Sequence, residues 1–483
     1  MSGIILPGWN DVSFHGSPQI PTPNIDALAA SGVILNNYYT HPQCTPSRGA
    51  LMSGKYANRL GLHHGDLRPA EASGLPLNIA ILPEYMKKMG YKSHMVGKWH
   101  LGYYKKRYLP TRRGFDSFFG FLNDNIDYYD YTCFYEELTF SGTKNSSLAS
   151  DAAEDNSISP SISEDKPFGN LKTLFGIDLW ENEEVIRDFR GEYATNVFTD
   201  KALDVIEEHN ATKPLFLFVS HAASQAGNKF FPLQSPSELY ERNNHIKQPD
   251  RRTYAGMVEA LDDSLMHITD WLPTFYYMTG GDVDDLGDID GMNMWPVIKG
   301  DLNRSPREEV LLNVDPISSI GGLRIGDMKI LVSESPVDGS DWYGPSGLED
   351  NNVTDSFDDW VWKNRSVVKD ILIETDQWLL GENDTWRQDA AIICGENFLP
   401  ISGKCDFTNG PCLYNITDDP CEYKNIASLY PKIVESMLNR LRDLNATSLP
   451  VQTKELDPLG DPVCHNFAHV PWMDEEDFDC PLS

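Results

Sequence analysis

Residues 44–54 combine residue types that could support covalent chemistry. They read Cys-Thr-Pro-Ser-Arg-Gly-Ala-Leu-Met-Ser-Gly. Proline is favoured in the first turn of a helix, so Pro46 predicts a helix that begins here, with Cys44 at its N-terminus. That end of a helix favours developing negative charge, which suits a reactive group. A disulfide cysteine ahead of a helix is the simpler interpretation, but the strand predicted over residues 33–39 leads directly into the motif and favours a chemical role.

Three basic residues could serve a reactive group at Cys44. Arg48 lies one turn along the predicted helix, where it could hold an anion or offset its charge. Lys98 and His100 are two residues apart, so in an extended segment their side chains would project from the same face and converge on one site. The alternatives are a helix-surface arginine for Arg48 and an exposed turn for the Lys-Trp-His segment.

Helices and strands alternate along the first part of the chain. This order predicts a largely parallel α/β sheet as the core. A helix over residues 22–32 is indicated by Thr22 as N-cap, Pro23 in the first turn and Gly32 as the stop. Further predicted helices are one that ends at Gly90 and one that includes Phe198 and Ile206, and the predicted strands are residues 33–39, 91–96 and 214–219.

The C-terminal part of the chain has a different character. Six of the eight cysteines lie in the last ninety residues: Cys394, Cys405, Cys412, Cys421, Cys464 and Cys480. This clustering predicts a small disulfide-tied α+β subdomain. We therefore expect a catalytic domain over residues 1–300 and a C-terminal subdomain over residues 301–483. Residues 141–166, rich in Ser, Asp and Glu, are predicted to form a surface segment without chemistry.

Composition restricts the partners and the compartment. The 483 residues carry 72 acidic and 40 basic side chains, a net charge of −32, which disfavours binding to nucleic acid or to anionic membranes. No apolar run is long enough to predict a membrane span. Eight N-x-S/T sequons, together with the clustered cysteines, predict the secretory pathway. The sequons begin at Asn145, Asn210, Asn303, Asn352, Asn364, Asn383, Asn415 and Asn445.

The sequence resembles the sulfatase family, and within it the arylsulfatase B-like (N-acetylgalactosamine-4-sulfatase-like) branch. Besides the Cys44 motif, the resemblance rests on residues 8–16 (Gly-Trp-Asn-Asp-Val-Ser-Phe-His-Gly), 22–33, 97–102 (Gly-Lys-Trp-His-Leu-Gly), 267–274 and 412–421. It implies an alkaline-phosphatase-like fold: a large, mixed, mainly parallel sheet flanked by helices, with a smaller C-terminal α+β subdomain. It also implies hydrolysis of sulfate esters on sulfated carbohydrates of the glycosaminoglycan type, or of aryl sulfates, in a lysosomal or extracellular protein.

The resemblance implies a modified nucleophile at Cys44. A formylglycine-generating enzyme in the endoplasmic reticulum would oxidise this cysteine to an aldehyde, which hydrates to a geminal diol. One hydroxyl attacks sulfur and expels the alcohol, leaving a sulfated hemiacetal. Deprotonation of the second hydroxyl then eliminates sulfate and restores the aldehyde. By resemblance, His100 is the base for this elimination, Lys98 steadies diol and sulfate, and Arg48 holds the diol.

The metal site that the resemblance implies is where this sequence departs from the family. Sulfatases hold a divalent ion, usually calcium, with an Asp-Asp pair before the Gly-Trp of the first motif and a later Asp-Asn pair. Here Ile5, Leu6 and Pro7 precede Gly8. Residues that should separate two later motifs are missing at the junction of Ser264 and Leu265, which predicts an internal deletion. The metal ligands of this chain are therefore left unknown.

Other departures point the same way. Gln225 stands where the family has a histidine that assists the leaving group, and His221 faces the wrong way to replace it. Asp11 and the acidic residues 282–290 are not expected to substitute as metal ligands. The first residues, which lack a signal peptide pattern, predict a chain entered partway through its first strand.

Two other functions compete with an active sulfatase. A catalytically dead pseudosulfatase would keep the fold and bind sulfated glycans without turnover. A phosphatase or phosphodiesterase of the same superfamily is less favoured, because such relatives need more metal ligands and this chain has fewer.

Overall fold

The computed structural model describes residues 8, 11–15, 19–35, 38–139, 170–262, 271–302, 305–334, 361–362, 366–378, 380, 385–390, 392, 405–474 and 480. The helices are α1 (Pro23–Ser31), α2 (Cys44–Ser53), α3 (Leu82–Lys88), α4 (Ala194–Glu207), α5 (Ser237–Arg242), α6 (Pro249–Asp262), α7 (Trp271–Met278), α8 (Trp295–Ile298), α9 (Val367–Glu374), α10 (Trp386–Ala390) and α11 (Pro431–Ala446). The strands are β1 (Lys92–Lys98), β2 (Ser117–Phe121), β3 (Thr132–Thr139), β4 (Asn170–Ile177), β5 (Trp180–Glu181), β6 (Glu184–Val185), β7 (Leu215–Ser220), β8 (Glu309–Asp315), β9 (Ile320–Ile325), β10 (Met328–Val332) and β11 (Cys412–Asn415).

The main sheet is parallel at its centre and antiparallel at one edge. Its strand order is β6-β5-β2-β1-β7. Strand β1 pairs in parallel with β2 and with β7, whereas β2 with β5 and β5 with β6 are antiparallel. The predicted α/β core with a mixed, mainly parallel sheet is therefore confirmed, as are the predicted helices α1, α3 and α4 and the strands β1 and β7.

Side chains of the central strands alternate between two apolar layers. Met95 and Phe118 join the cluster that contains Leu82 of α3, and Val96 joins the opposite cluster with Phe198 of α4. A parallel strand covered by helices on both faces needs apolar residues in succession rather than in alternation with polar ones. Consecutive apolar residues therefore indicate the buried position of β7, whereas β1 has only Met95 and Val96 in succession.

A glycine permits close contact between strands where their carboxyl ends meet. Gly97 has a φ of +99°, and a Cβ there would lie 1.9 Å from the carbonyl oxygen of Ser220. No larger residue could keep this approach of β1 to β7, because the contact is with backbone. The strand ends are thereby held close together just before Lys98.

A second, antiparallel sheet lies in the C-terminal part, with strand order β11-β10-β9-β8. Helix α11 covers it with Met437 and Leu441, which pack in one cluster with Leu323 and Ile330. The predicted disulfides are present among the described residues as Cys405–Cys412 and Cys464–Cys480, and Cys421 is also disulfide-bonded. Cys44 and Cys133 are free and buried.

The last segment of the chain returns to the first part of the fold. Leu456 bridges to Glu71, Ala468 bridges to Ile177, and Trp472 belongs to the same cluster as α3. Among the described residues, no helix has both the length and the apolar character needed to cross a bilayer.

The strand predicted over residues 33–39 is wrong. Residues 33–35 and 38–39 are irregular, and Val33 and Leu35 are 59% and 43% exposed. A run of strand-forming residues becomes a strand only where a neighbouring strand pairs with it, and the described residues provide none here. The structure does not describe three parts of the chain to which the sequence analysis refers. They are the predicted surface segment 141–166, residues 5–7 and the junction at residues 264–265.

The buried histidines make stability dependent on pH. Burial lowers the pKa of His41, His221 and His469 to about 4 in each case. In the unfolded chain the pKa of histidine is about 6.5, so below that pH the unfolded state takes up protons that the folded state does not. Stability should therefore fall as pH falls through about 6.5 toward about 4. Asp178, whose pKa burial raises to about 6, opposes this loss.

We expect each buried histidine to cost about 2 kcal/mol of unfolding free energy between about pH 7.5 and about pH 5. The unfolding free energy at about pH 7.5 exceeds that at about pH 5, and replacing His221 by Asn should reduce this difference in free energy by about the same amount, even if the variant is less stable at both pH values. Urea unfolding at the two pH values measures the effect. His209→Asn, at a partly exposed position, is the control, and an unchanged difference in H221N would contradict the prediction.

Candidate functional site

The site lies where the carboxyl ends of β1, β2 and β7 meet the N-terminus of α2. All ten residues of α2 are buried, and the helix begins at Cys44 as the sequence predicts. Cys44 is 7% exposed. The carboxyl edge of parallel strands is the usual place for a binding site in α/β proteins, because the loops that follow the strands converge there.

Hydrogen bonds fix the first turn of α2. The backbone N–H of Thr45 donates to Asp66 Oδ1 at 2.6 Å, so a carboxylate stabilises the positive end of the helix. The Thr45 hydroxyl donates to the carbonyl oxygen of His100 at 3.1 Å and accepts from the N–H of Leu67 at 3.1 Å. Cys44 is thus held in a fixed relation to the segment that carries His100.

Arg48 connects α2 to the sheet. The side chain is 3% exposed, and Nη1 donates to the carbonyl oxygen of Lys98 at 2.6 Å and to Ser220 Oγ at 2.8 Å. Burial lowers the pKa of Arg48, and the electrostatic influence of Cys44, Asp66 and Asp124 opposes this lowering. Arg48 is therefore not the surface residue of the alternative interpretation, and part of its hydrogen-bonding capacity joins the ends of β1 and β7.

Lys98 is buried and bound to an aspartate that sequence reasoning missed. Its side chain is 0% exposed, and Nζ donates to Asp124 Oδ1 at 2.9 Å and to Gln225 Oε1 at 2.7 Å. Gln225 in turn donates from Nε2 to Asp124 Oδ1 at 2.9 Å. Desolvation is the largest single influence and favours the neutral acid, but the charge of Lys98, the neighbouring His100 and the hydrogen bonds from Lys98 and Gln225 together hold the pKa of Asp124 well below its usual value. Asp124 is therefore a carboxylate.

His100 presents an unprotonated nitrogen to the site. Its Nε2 lies 2.8 Å from the carbonyl oxygen of Leu67, which can only accept, so Nε2 carries the proton. Nδ1 is buried without a hydrogen-bond partner among the described residues, and it lies 3.6 Å from Asp124 Oδ1. Burial, followed by the charge of Lys98, lowers the pKa of His100. The ring is therefore neutral, with the Nδ1 lone pair available.

The structure brings Lys98 and His100 together at Asp124, although the segment between them does not have the extended geometry assumed from sequence. Strand β1 ends at Lys98, and His100 has a φ of +53°. Both side chains nevertheless approach Asp124, because Trp99 and His100 continue beside the end of β2, with the N–H of His100 bonded to the carbonyl of Leu122. Cys44 Sγ, a ring nitrogen of His100 and a carboxylate oxygen of Asp124 lie within 4.8 Å of one another.

Cys44 also borders a cavity of about 420 Å³ between α2 and the C-terminal sheet. Residues 39–44 form one side of this cavity. The other side consists of Leu312, Asn313, Ile320, Gly321, Gly322, Lys329 and Leu331. A ligand of the size of one or two sugar rings could reach Cys44 through this space.

The described residues near Cys44 do not fit calcium. A calcium site needs six or more oxygen ligands, whereas the cluster at Cys44 offers sulfur, nitrogen and a single carboxylate. That carboxylate, Asp124, already holds the ammonium of Lys98, whose charge opposes any divalent cation. We therefore derive no step through a metal.

The acidic residues considered from sequence have other partners. Asp11 Oδ1 pairs with Arg251 Nη1 at 2.7 Å, and its Oδ2 accepts from the Tyr254 hydroxyl at 2.9 Å. Asp290 pairs with Arg59 at 2.7 Å, and Asp288 is 82% exposed. His221 lies beside Phe198, with ring centroids 6.3 Å apart, rather than at Asp124.

Asp124 and Ser220 are the functional candidates that sequence reasoning missed. Ser220 is the last residue of β7, and Asp124 follows β2 by three residues. Polar residues that directly follow buried parallel strands gather at the same edge of a sheet. The place of Asp124 shortly after the strand that begins at residue 117 is therefore its one positional signal in the sequence.

Comparison with known proteins identifies the family. A model of the sulfatase family matches residues 7–287, more than half of the chain. Arylsulfatase J of Mus musculus is 30% identical over 548 residues, covering 97% of this chain and 79% of the relative. N-acetylgalactosamine-6-sulfatase of Homo sapiens is 28% identical over 276 residues, covering 55% of this chain and 44% of the relative. The chain belongs to the sulfatase family, a family of sulfuric ester hydrolases. The narrower arylsulfatase B-like assignment stays a prediction.

Solved structures agree on the fold. Ps i-CgsB superimposes with a TM-score of 0.59 at 18% identity, covering 93% of this chain and 92% of that chain. BT4656, solved in complex with its substrate D-glucosamine-2-N,6-O-disulfate, gives a TM-score of 0.51 at 14% identity, covering 92% and 96%. The fold is therefore the alkaline-phosphatase-like sulfatase fold with a C-terminal antiparallel sheet.

Arg48 should contribute strongly to stability because its hydrogen bonds join α2 to two strands. We expect Arg48→Ala to lower the unfolding free energy by about 3 kcal/mol, since it leaves buried acceptors unpaired. Arg112→Ala is the matched control, because Arg112 is 57% exposed and its pairing with Glu183 should contribute little. Chemical denaturation compares the variants, and equal effects of the two substitutions would contradict this role of Arg48.

Proposed function

We propose that this chain hydrolyses sulfate esters of sulfated carbohydrates, of the glycosaminoglycan type, or of aryl sulfates, through a formylglycine made from Cys44. The observation that carries the proposal is the placement of Cys44. It lies at the N-terminus of a buried helix, within 4.8 Å of a ring nitrogen of His100, and borders a cavity large enough for a sugar. The sulfatase family to which the chain belongs supplies the reaction class.

Each predicted residue has a role in this proposal. The N-terminus of α2 and the guanidinium of Arg48 favour negative charge on the diol oxygens. Lys98 binds a sulfate oxygen. His100 takes the proton of the second hydroxyl at Nδ1, because Nε2 is already protonated and bound to Leu67. Loss of that proton lets the diol carbon expel sulfate and regain the aldehyde.

The compartment that we propose is the secretory pathway, with a lysosomal or extracellular destination. The disulfides Cys405–Cys412 and Cys464–Cys480 support it, since disulfides persist in oxidising compartments. Asn210, the first residue of a sequon, is exposed and could accept a glycan. A formylglycine-generating enzyme of the endoplasmic reticulum would then be a transient partner. We further propose residues 1–300 and 301–483 as the catalytic domain and the C-terminal subdomain.

A catalytically dead pseudosulfatase that binds sulfated glycans is the second candidate. It is favoured by the poor fit of the described residues to calcium and by Gln225 at the position of the family histidine. The match to Arylsulfatase J extends over 548 residues, more than the 483 of this chain, so that relative has residues within the matched region that this chain lacks. Loss of metal stabilisation of this kind would slow turnover strongly, because each 1.4 kcal/mol is about tenfold in rate.

Mass spectrometry of the peptide that contains Cys44, from protein secreted by a eukaryotic host, should show the aldehyde in place of the thiol. An aldehyde-reactive hydrazide should label this peptide and not the peptide with Cys133, the other buried free cysteine. Protein that carries the aldehyde and has not been treated with hydrazide should hydrolyse an aryl sulfate, whereas Cys44→Ala should not. Unmodified cysteine at residue 44, with no turnover, would leave only the pseudosulfatase.

Turnover, if present, should not depend on calcium, because the described residues at Cys44 lack a calcium ligand set. We expect the same rate of aryl sulfate hydrolysis with added calcium and with a chelator. A calcium-dependent sulfatase assayed in parallel checks that the chelator removes the ion. Stimulation of this chain by calcium would show that ligands exist outside the residues described.

A further inference from the structure

Among the contacts at Cys44, the ion pair between Lys98 and Asp124 has no role in the reaction proposed above. The two side chains differ in their access to solvent. The Lys98 side chain is 0% exposed, whereas 33% of the Asp124 side chain is exposed. An anion that arrives from solution therefore meets the carboxylate of Asp124 before it can reach the ammonium of Lys98.

We propose that Asp124 is a built-in competitor for sulfate at Lys98, which lowers the affinity of this chain for sulfate and sulfate esters. Two of its contacts are those that a bound sulfate oxygen would need. Asp124 Oδ1 lies 2.9 Å from Lys98 Nζ and 2.9 Å from Gln225 Nε2. The proposal rests on the proposed function only in naming a sulfate ester as the ligand.

Electrostatics gives the direction of the effect. A buried ammonium needs an anionic partner, because removal of one member of a buried pair leaves an uncompensated charge. In the free protein that partner is Asp124. A sulfate group must displace the carboxylate from Lys98 or bind beside it, and two anions in close contact repel each other.

Other groups near the site do not take over this role. Arg48 carries a second positive charge, but Nη1 already bonds to the Lys98 carbonyl and to Ser220, and Nε, which has no partner among the described residues, is buried away from solvent. Asp66 carries a second negative charge, but its Oδ1 is bound to the helix N-terminus at Thr45. The Lys98–Asp124 pair is thus the contact through which sulfate affinity can be adjusted without disturbing α2.

The test is sulfate binding by Asp124→Asn compared with the unsubstituted chain. The asparagine keeps the size of the side chain and removes its charge. We expect sulfate to bind D124N at least about tenfold more tightly, which corresponds to about 1.4 kcal/mol. Calorimetric titration with sodium sulfate at constant ionic strength, with sodium chloride as the balancing salt, measures the dissociation constants.

The matched control is Asp116→Asn. Asp116 Oδ1 pairs with Lys92 Nζ at 2.9 Å, so a second Lys–Asp pair of the same length, with its lysine 45% exposed, lies at the opposite end of β1, away from Cys44. This variant should bind sulfate like the unsubstituted chain. Equal or weaker sulfate binding by D124N would overturn the proposal, as would an equal gain in D116N.

Stability provides a second readout that holds even if D124N folds poorly. Without Asp124 the ammonium of Lys98 lacks its anion, so D124N should be less stable in chloride and should regain stability in sulfate by mass action. Thermal unfolding across a sulfate series should show a larger rise for D124N than for the unsubstituted chain. Asp124→Ser repeats the test with a smaller side chain, and a rise no larger than that of the unsubstituted chain in both variants would refute the competition.

Neither readout requires turnover. Tighter sulfate binding in D124N together with inactive Cys44-converted protein would support the competition and refute the sulfatase activity. Turnover by the converted protein together with unchanged sulfate binding in D124N would support the sulfatase activity and refute the competition.

Discussion

The arrangement of the site depends on a charge that has to be buried and neutralised. Lys98 is the last residue of β1, the middle one of the three parallel strands, and its side chain is 0% exposed. An uncompensated buried charge costs several kcal/mol, so the surrounding loops must supply acceptors. The loop after β2 supplies Asp124, and the loop after β7 supplies Gln225. The backbone carbonyl oxygen of Lys98 also accepts a hydrogen bond from Arg48. Lys98 therefore links the position of α2 to the sheet.

The sequence was sufficient to predict the apolar core and four residues that the structure places at the site, but not Asp124 and Ser220. Consecutive apolar residues indicate β7, the helix stop at Gly90 indicates that β1 follows it, and Pro46 indicates the helix that begins at Cys44, because these signals are local. Asp124 could not be selected by type, since an aspartate between two asparagines after a strand is typical of an ordinary turn. Its importance arises from pairing with a residue 26 positions earlier in the chain. The strand expected over residues 33–39 failed for a related reason, because strand formation depends on a partner that local sequence does not reveal.

Net charge gives a misleading impression of the pocket. The chain carries −32, which should repel a polyanionic sugar at long range. Near Cys44, however, Arg48 and Lys98 face Asp66 and Asp124, so the local positive charges are matched by negative ones. A neutral pocket avoids the cost of burying unpaired charge, but it also offers little attraction to sulfate. Affinity must then come from exchange of one anion for another at Lys98 rather than from an excess of positive charge.

The poor fit to calcium makes this exchange more important. Where a divalent ion is present in a sulfatase, it supplies positive charge that does not need to be shared with a protein anion. Among the residues described here, Lys98 and Arg48 supply the positive charge near Cys44. Arg48 hydrogen-bonds to the ends of β1 and β7. Lys98 alone has a partner that solvent can reach. Whether this chain turns over sulfate esters or only binds them, its response to sulfate is therefore governed by how readily Asp124 gives up the ammonium.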